Sequence, residues 1–210
     1  MVAIVDYGVG NLFSLRSSFA AIGRQAQVTG DAETLAKADR LVLPGVGAFG
    51  DAAAALRQSG LDKAVLAHAE AGKPLLGICL GMQLLLEKSF EYGEHKGLGL
   101  IPGAVRPIRD VIPAGLKVPH IGWNALELTG AGRACGLFKN TREGERVYFV
   151  HSYWADSPEA FVLARAEYGA PLTAAVGRAN VLGVQFHPER LPNGGGDGLF
   201  RWLMERAVQR

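Results

Sequence analysis

Short apolar runs alternate with amphipathic stretches through the first half of the chain. The opening "VAIVDYG" is apolar on successive positions and ends in turn residues, the pattern of a buried strand. Asn11 then stands as N-cap of a helix whose Leu12, Leu15, Phe19 and Ile22 share one face, with Gly23 as its stop. "AQVTG" and "RLVLPGVG" predict a second and a third strand, the latter running into two glycines. A single helix is predicted from about Gly50 to Ala71, with Leu56, Leu61, Val65 and Leu66 among its buried positions. "PLLGICL" repeats the strand-to-helix pattern, with "LGMQLLLEKS" as the helix. Strands apolar on both faces and separated by helices imply a parallel sheet covered on both sides.

After Gly97 the pattern changes. "GLIPGAVRPI", "KVPHIGWNALEL", "RVYFVHSYWA", "FVLARAEYG" and "LTAAVGRANVLGVQF" are strand-like and separated by Pro, Gly and Asn, so antiparallel segments are expected to join the sheet. A final helix is predicted from about Gly198 to Val208. No internal repeat, low-complexity tract or linker interrupts the pattern. The expected architecture is a single α/β domain over residues 1–210, a mostly parallel central sheet with helices on both faces and antiparallel strands from the C-terminal half.

Charge and cysteine usage narrow the functions this architecture could serve. The net charge of +2, with no block of like charges, argues against a nucleic-acid or acidic-membrane partner. No apolar run approaches the roughly 18 residues that span a bilayer, and "MVAIVDYGVGN" lacks the basic start of a signal peptide. A cytoplasmic protein is expected. Cys79 and Cys135 are the two cysteines, without CxxC or regular Cys/His spacing, which argues against a disulfide framework and against a structural zinc site.

Cys79 lies in Gly77-Ile78-Cys79-Leu80-Gly81, a G-x-C-x-G version of the nucleophile elbow. A nucleophile on a sharp strand-to-helix turn takes a strained backbone conformation, and side chains on its flanks would clash, which accounts for the glycines. The turn also sets the thiol at a helix N-terminus, where amides and the macrodipole favour the thiolate. A buried structural cysteine is the alternative reading. Cys135, in "GRACGLF", has no such setting and is expected to be structural.

Of five histidines, only His187, in "GVQFHPER", has an acid close by. In extended backbone His187 and Glu189 point the same way, and Pro188 is expected to hold the chain out of the helical region. Glu189 could then set the imidazole tautomer and stabilise an imidazolium, completing a Cys-His-Glu triad at strand ends. Without the elbow, a surface His-Pro-Glu turn would serve as well. Oxyanion donors are expected from Gly45, Val46 and Gly47 of the "PGVG" loop together with the Leu80 amide. His68, His95 and His120 are expected to be packed or solvated.

The trio "PGVG", "GICLGMQ" and "GVQFHPE" resembles the class I glutamine amidotransferases. "DYGVGNLFS", "PHIGWN" and "YFVHSYW" narrow the resemblance to the branch that feeds a (β/α)8-barrel cyclase making imidazole glycerol phosphate and the aminoimidazole carboxamide ribonucleotide (AICAR) in histidine biosynthesis. The motifs run from Asp6 to Glu189. The resemblance implies hydrolysis of glutamine to glutamate and ammonia, with Cys79 as nucleophile, His187 as acid/base and Glu189 as its orienting partner, and no metal or cofactor. It also implies glutamine binding at Gln83 and at His151, Ser152 and Tyr153, and a heterodimer with the cyclase through a face that includes Asn11 and Trp123. Trp123 could equally be core. Another amidotransferase subunit or a γ-glutamyl hydrolase would share "GICLG" and "HPE", and a catalytically inactive interaction subunit is the third reading. Two departures stand out. The family usually continues "HPEKS", where this chain has Arg190 and then the glycine-rich loop Leu191–Gly198, and Trp154 replaces the tyrosine more common after "HSY".

Overall fold

The computed structural model describes residues 1–190; the loop Leu191–Gly198 and the predicted helix beyond it lie outside the described residues. The first half runs β1 (Val2–Val5), α1 (Leu12–Ala21), β2 (Ala26–Thr29), α2 (Ala32–Lys37), β3 (Arg40–Leu43), α3 (Phe49–Gln58), α4 (Leu61–Glu70), β4 (Leu75–Ile78) and α5 (Leu80–Leu84). The second half adds β5 (Leu86–Ser89), β6 (His95–Lys96), β7 (Ile101–Pro107), β8 (His120–Ala125), β9 (Glu127–Leu128), α6 (Gly130–Ala134), β10 (Arg146–His151), β11 (Tyr153–Asp156), β12 (Val162–Glu167), β13 (Pro171–Arg178) and β14 (Val181–Val184).

Eight strands form the main sheet in the order β2-β1-β3-β4-β14-β13-β12-β9. The five from β2 to β14 are parallel, and β13, β12 and β9 extend the sheet antiparallel. Successive residues of the parallel strands feed two different cores, as the pleat requires. Val2 and Ile4 of β1 join Leu15, Phe19 and Phe149 on one face, while Ala3 and Val5 join Leu35, Leu56 and Val65 on the other. Both faces of β1, β3, β4 and β14 are therefore dry, which is why these strands are almost wholly apolar, while the edge strand β2 is partly exposed.

Three expectations need correction. The predicted helix over 50–71 is two helices, because the chain turns at Ser59-Gly60 with Gly60 at φ +72°, a left-handed conformation that glycine adopts without penalty. The helix after Cys79 ends at Leu84, and Leu86–Ser89 becomes strand β5, paired with β6 and β7 in a separate four-stranded sheet with β11. Leucine-rich sequence is compatible with either state, and the partner strands decide. Helix α2, seated on Asp31 whose side chain accepts from the Thr34 amide, was not anticipated.

The parallel strands place their carboxyl ends side by side. Pro44 follows β3, Cys79 follows β4 and His187 lies just beyond β14, so residues distant in sequence meet at one sheet edge. Contact there is backbone against backbone. A Cβ on Gly81 would lie 1.9 Å from the Leu43 carbonyl oxygen. Gly81→Ala is therefore expected to lose more than about 3 kcal/mol of stability. Gly72→Ala, at a left-handed glycine with open space around it, should lose only about 1 kcal/mol. Urea denaturation of both variants checks this, and equal losses would contradict the close contact.

Candidate active site

Cys79 links β4 to α5 with φ 54° and ψ −114°. Such a non-glycine conformation costs about 1–3 kcal/mol and persists only where its surroundings hold it. Here the Cys79 amide donates to the Val184 carbonyl at 2.8 Å, and its carbonyl accepts from the Gln83 amide at 3.2 Å. The flanking glycines are needed as the elbow pattern implies, since a Cβ on Gly77 would come within 2.7 Å of the Gly81 carbonyl oxygen. Helix α5 has only five residues, so the expected macrodipole reduces to the few free amides of its first turn. Cys79 itself is 8% exposed.

His187 is anchored by its amide, which donates to the Tyr148 carbonyl at 3.0 Å. Its Nδ1 meets Glu189 Oε1 at 2.9 Å with both side chains buried. The backbone between them is not extended. Pro188–Arg190 is a 3-10 turn opened by proline, whose fixed φ suits a first helical position. The imidazole–carboxylate pair forms nonetheless, because the turn brings residue 189 back toward residue 187. Burial opposes the imidazolium, but hydrogen bonding to Cys79 and Glu189 and the charges of both push its pKa up to about 10. Nε2 is buried and makes no hydrogen bond of ordinary geometry among the described residues, and Cys79 is the titratable group beside the ring.

A cavity of about 400 Å³ opens over this pair. Cys79, His187 and Glu189 line it, as do Val46, Gly47 and Leu80 of the expected oxyanion donors. Gly45 does not line it. It lies beneath the loop, where a Cβ would come within 2.7 Å of the Gly81 amide, and so lets the loop approach α5. The loop is held at its base by the Tyr7 hydroxyl, which donates to the Pro44 carbonyl at 2.7 Å. Burial and the nearby Cys79 charge raise the Tyr7 pKa, keeping that phenol a donor.

Gln83, His151, Ser152 and Tyr153 also line the cavity. Two of them are already engaged inside the protein. Gln83 Nε2 donates to Gln185 Oε1 at 2.9 Å and to the Tyr153 carbonyl at 3.2 Å. His151 Nδ1 donates to the same carbonyl at 2.8 Å, and its Nε2 lies 3.0 Å from His120 Nδ1. Asn11 caps α1, accepting from the Ser14 amide at 3.3 Å, and reaches the cavity rim. Trp123 is outside the cavity and 39% exposed, so the core alternative is discarded. It meets the Tyr148 ring edge-on, and the Arg190 guanidinium lies over that ring at 4.8 Å, also lining the cavity.

Sequence reasoning missed Glu91 and Gln185. Glu91 lines the cavity, is buried, and accepts the Phe49 amide at 2.6 Å, capping a helix whose own N-cap, Ala48, offers no side-chain acceptor. Gln185 is fully buried, with Nε2 3.7 Å from Cys79 Sγ. A glutamine in a strand otherwise apolar was a usable signal; Glu91 sits in a polar stretch with none. His68 is packed, its Nε2 3.2 Å from the Pro74 carbonyl, and burial lowers its pKa to about 4. His95 packs against α3 at Gly50. Cys135 borders the core as a free thiol. Among the described residues no cluster of three or more metal-ligating side chains occurs, and no helix is long and apolar enough to cross a membrane.

The raised His187 pKa has a stability consequence of definite sign. A folded-state value near 10 against an ordinary 6.5 contributes stability that is complete below about pH 6.5 and lost as pH climbs through about 10. Glu189→Gln removes one of the groups holding that proton. The denaturation-midpoint advantage of the natural protein over Glu189→Gln should therefore shrink between about pH 7 and pH 10. A constant advantage would show that the carboxylate does not hold the proton.

Residues 3–206 match the family described as glutamine amidotransferase class-I. The chain is 48% identical over 194 residues to the imidazole glycerol phosphate synthase subunit HisH of Syntrophotalea carbinolica, covering 90% of this chain and 93% of that one. It is 45% identical over 207 residues to the subunit of the same name from Rhodopirellula baltica, covering 98% and 96%. In fold it resembles a crystal structure of a glutamine amidotransferase (TM-score 0.74, 23% identity, 97% of each chain) and PurLQS from Thermotoga maritima (TM-score 0.76, 21% identity, 98% and 97%). The structural likeness alone reaches only the fold, but the family match and the near-half identity over most of both chains go further: this chain belongs to the class I glutamine amidotransferase family, in the branch of the HisH subunits of imidazole glycerol phosphate synthase.

Proposed function

We propose that the chain, acting as one domain over residues 1–210, is the glutaminase subunit of an imidazole glycerol phosphate synthase in the cytoplasm. It hydrolyses L-glutamine to glutamate and ammonia, and a (β/α)8-barrel cyclase consumes the ammonia to make imidazole glycerol phosphate and AICAR. The observation that carries this reading is the strained Cys79 elbow and the buried His187–Glu189 pair opening into one cavity. Membership of the HisH branch supports the partner and the pathway.

In the mechanism, the Cys79 thiolate attacks the side-chain carboxamide carbon of glutamine. The oxygen of the tetrahedral intermediate accepts from the Leu80 amide and from the Val46–Gly47 loop. The His187 imidazolium gives its proton to the departing nitrogen, releasing ammonia and leaving a γ-glutamyl thioester on Cys79. His187, now neutral, takes a proton from water; the hydroxide adds to the thioester carbon, and the thiolate is expelled with glutamate. Glu189 holds the imidazole orientation through Nδ1 and stabilises its charge. Ser152 and Tyr153 hold the amino-acid end of glutamine, with Gln83 bracing the Tyr153 carbonyl. No step requires a metal or an organic cofactor.

The cyclase docks on the face around Asn11 and Trp123, where an aromatic surface pairs with Arg190 beside the cavity. Gly47, at φ +90° with open space around it, lets the oxyanion loop respond to that docking.

Glutamate release should be slow with this protein alone, little changed by the cyclase, and raised by orders of magnitude when the cyclase also carries its nucleotide substrate. Cys79→Ser should abolish release in all three conditions, and a thiol-reactive glutamine analogue should label Cys79. Equal rates in the three conditions would move the assignment to a free-standing hydrolase. Absence of both turnover and labelling would favour an inactive interaction subunit.

A further inference from the structure

His120 and His151 were not expected to act together, yet the structure joins them in a buried chain of hydrogen bonds. At one end the Tyr153 carbonyl accepts from His151 Nδ1 at 2.8 Å. A carbonyl has no proton to give, so Nδ1 carries one. At the other end His120 Nε2 lies 3.0 Å from Asn124 Oδ1. The amide orientation of Asn124 is set by its Nδ2, which donates to the Glu167 carbonyl at 2.8 Å. Oδ1 is therefore an acceptor, and His120 Nε2 also carries a proton. Between the rings, His120 Nδ1 and His151 Nε2 are 3.0 Å apart. Two neutral imidazoles hold two protons, and both are already placed on the outer nitrogens. Two lone pairs would then face each other at hydrogen-bond distance.

We propose that His120 and His151 hold a third proton between them, and that His120 is thereby a positioning residue tying the Ser152–Tyr153 side of the cavity to strand β8. The proton makes the inner contact N–H to N and gives the pair one positive charge. Without it, one outer link must go. If His151 Nε2 keeps a proton, Nδ1 is bare against the Tyr153 carbonyl; if His120 Nδ1 keeps it, Nε2 is bare against Asn124. Either repulsion moves an element the cavity depends on. From the Tyr153 carbonyl the same chain continues through Gln83 and Gln185 to Cys79 Sγ. On the other side, β8 carries the exposed Ile121 and Trp123.

The surroundings make the third proton sensitive to pH. The titratable groups facing the pair are His187, whose charge opposes one on His151, and Tyr168, stacked on His120 with its hydroxyl donating to the Lys117 carbonyl. Glu167 contributes its backbone carbonyl and not its carboxylate. Phe149 packs against both rings. Burial lowers both pKa values, that of His151 to about 4, while the hydrogen bonds at each end favour protonation. The geometry decides between them: only the protonated pair satisfies all three contacts at once, so the chain is intact at lower pH and opens as pH rises.

The test is long-range proton–nitrogen NMR of the full chain with nitrogen-15 histidine, from about pH 6 to pH 9. At the acid end the two rings should hold three protons, with His120 Nε2 and His151 Nδ1 both protonated, and one proton should leave the pair as a unit toward the alkaline end. Two protons at about pH 6 would overturn the proposal. This arm needs no activity and stands apart from the glutaminase reading. The second arm rests on that reading and measures the KM for glutamine with cyclase and nucleotide present. The KM of the natural protein should rise about threefold to tenfold over the same range, the worth of one hydrogen bond. His120→Gln, whose amide can donate to both neighbours without a charge, should keep a near-natural KM at low pH and lose the rise. The same rise in His120→Gln would overturn the positioning role.

Discussion

The site depends on a contact that leaves no room for a Cβ. The elbow around Cys79 is pressed between the ends of β3 and β14, with Gly81 against the Leu43 carbonyl and Gly77 against the Gly81 carbonyl. Glycine at these positions removes the side chains that would hold the strands and α5 apart. The approach lets the Cys79 amide reach Val184 and sets the Pro44–Gly47 loop over the start of α5, so that loop, thiol and histidine share one cavity. The strain in Cys79 is sustained by the same packing. A residue at φ 54° relaxes unless both its neighbours and its hydrogen bonds forbid it.

Histidines within this small region are driven in opposite directions by their surroundings. His151 and His187 are both buried, and desolvation disfavours the charged form of each. For His187 the buried Glu189 carboxylate and Cys79 overrule burial and raise its pKa. For His151 no carboxylate is paired with the ring, so burial works against its charge and only the hydrogen bonds of the His120–His151 chain favour a proton there. A strongly proton-retaining imidazole and one that gives up its proton more readily therefore line the same cavity. In the proposed mechanism the first stays charged until the leaving nitrogen takes its proton, and the proposed pH-dependent link suits the second.

The cavity wall uses amide side chains as braces. Gln83 and Gln185 bond to each other and to the Tyr153 carbonyl and Cys79 sulfur, so the Tyr153 side of the cavity is continuous with the Cys79 thiol. Buried polar chains of this kind favour one arrangement, because each broken link leaves a desolvated group without a partner. Glu91 does similar work from another element, capping α3 across a distance of 42 residues in sequence.

The apolar runs of β1, β3 and β4 announced a parallel sheet covered on both faces, since a strand dry on both sides admits few polar residues, whereas β14 was grouped with the antiparallel segments and only its pairing with β4 makes it parallel. The glycines around Cys79 announced a strained turn and the His-Pro-Glu sequence an imidazole–carboxylate pair, because such turns and pairs admit few residue types. Pairing was not legible where composition suits two states. Leu86–Ser89 follows straight on from the leucines of α5 and would continue that helix by pattern, and only the waiting edges of β6 and β7 make it a strand. Nor was the company each side chain keeps. Glu91, Gln185 and the His120–His151 pair are ordinary residues in sequence, and their roles come from neighbours 31 to 106 positions away. Local sequence determines what one segment can do alone; long-range contacts decide which buried polar atoms face each other, and that sets their protons.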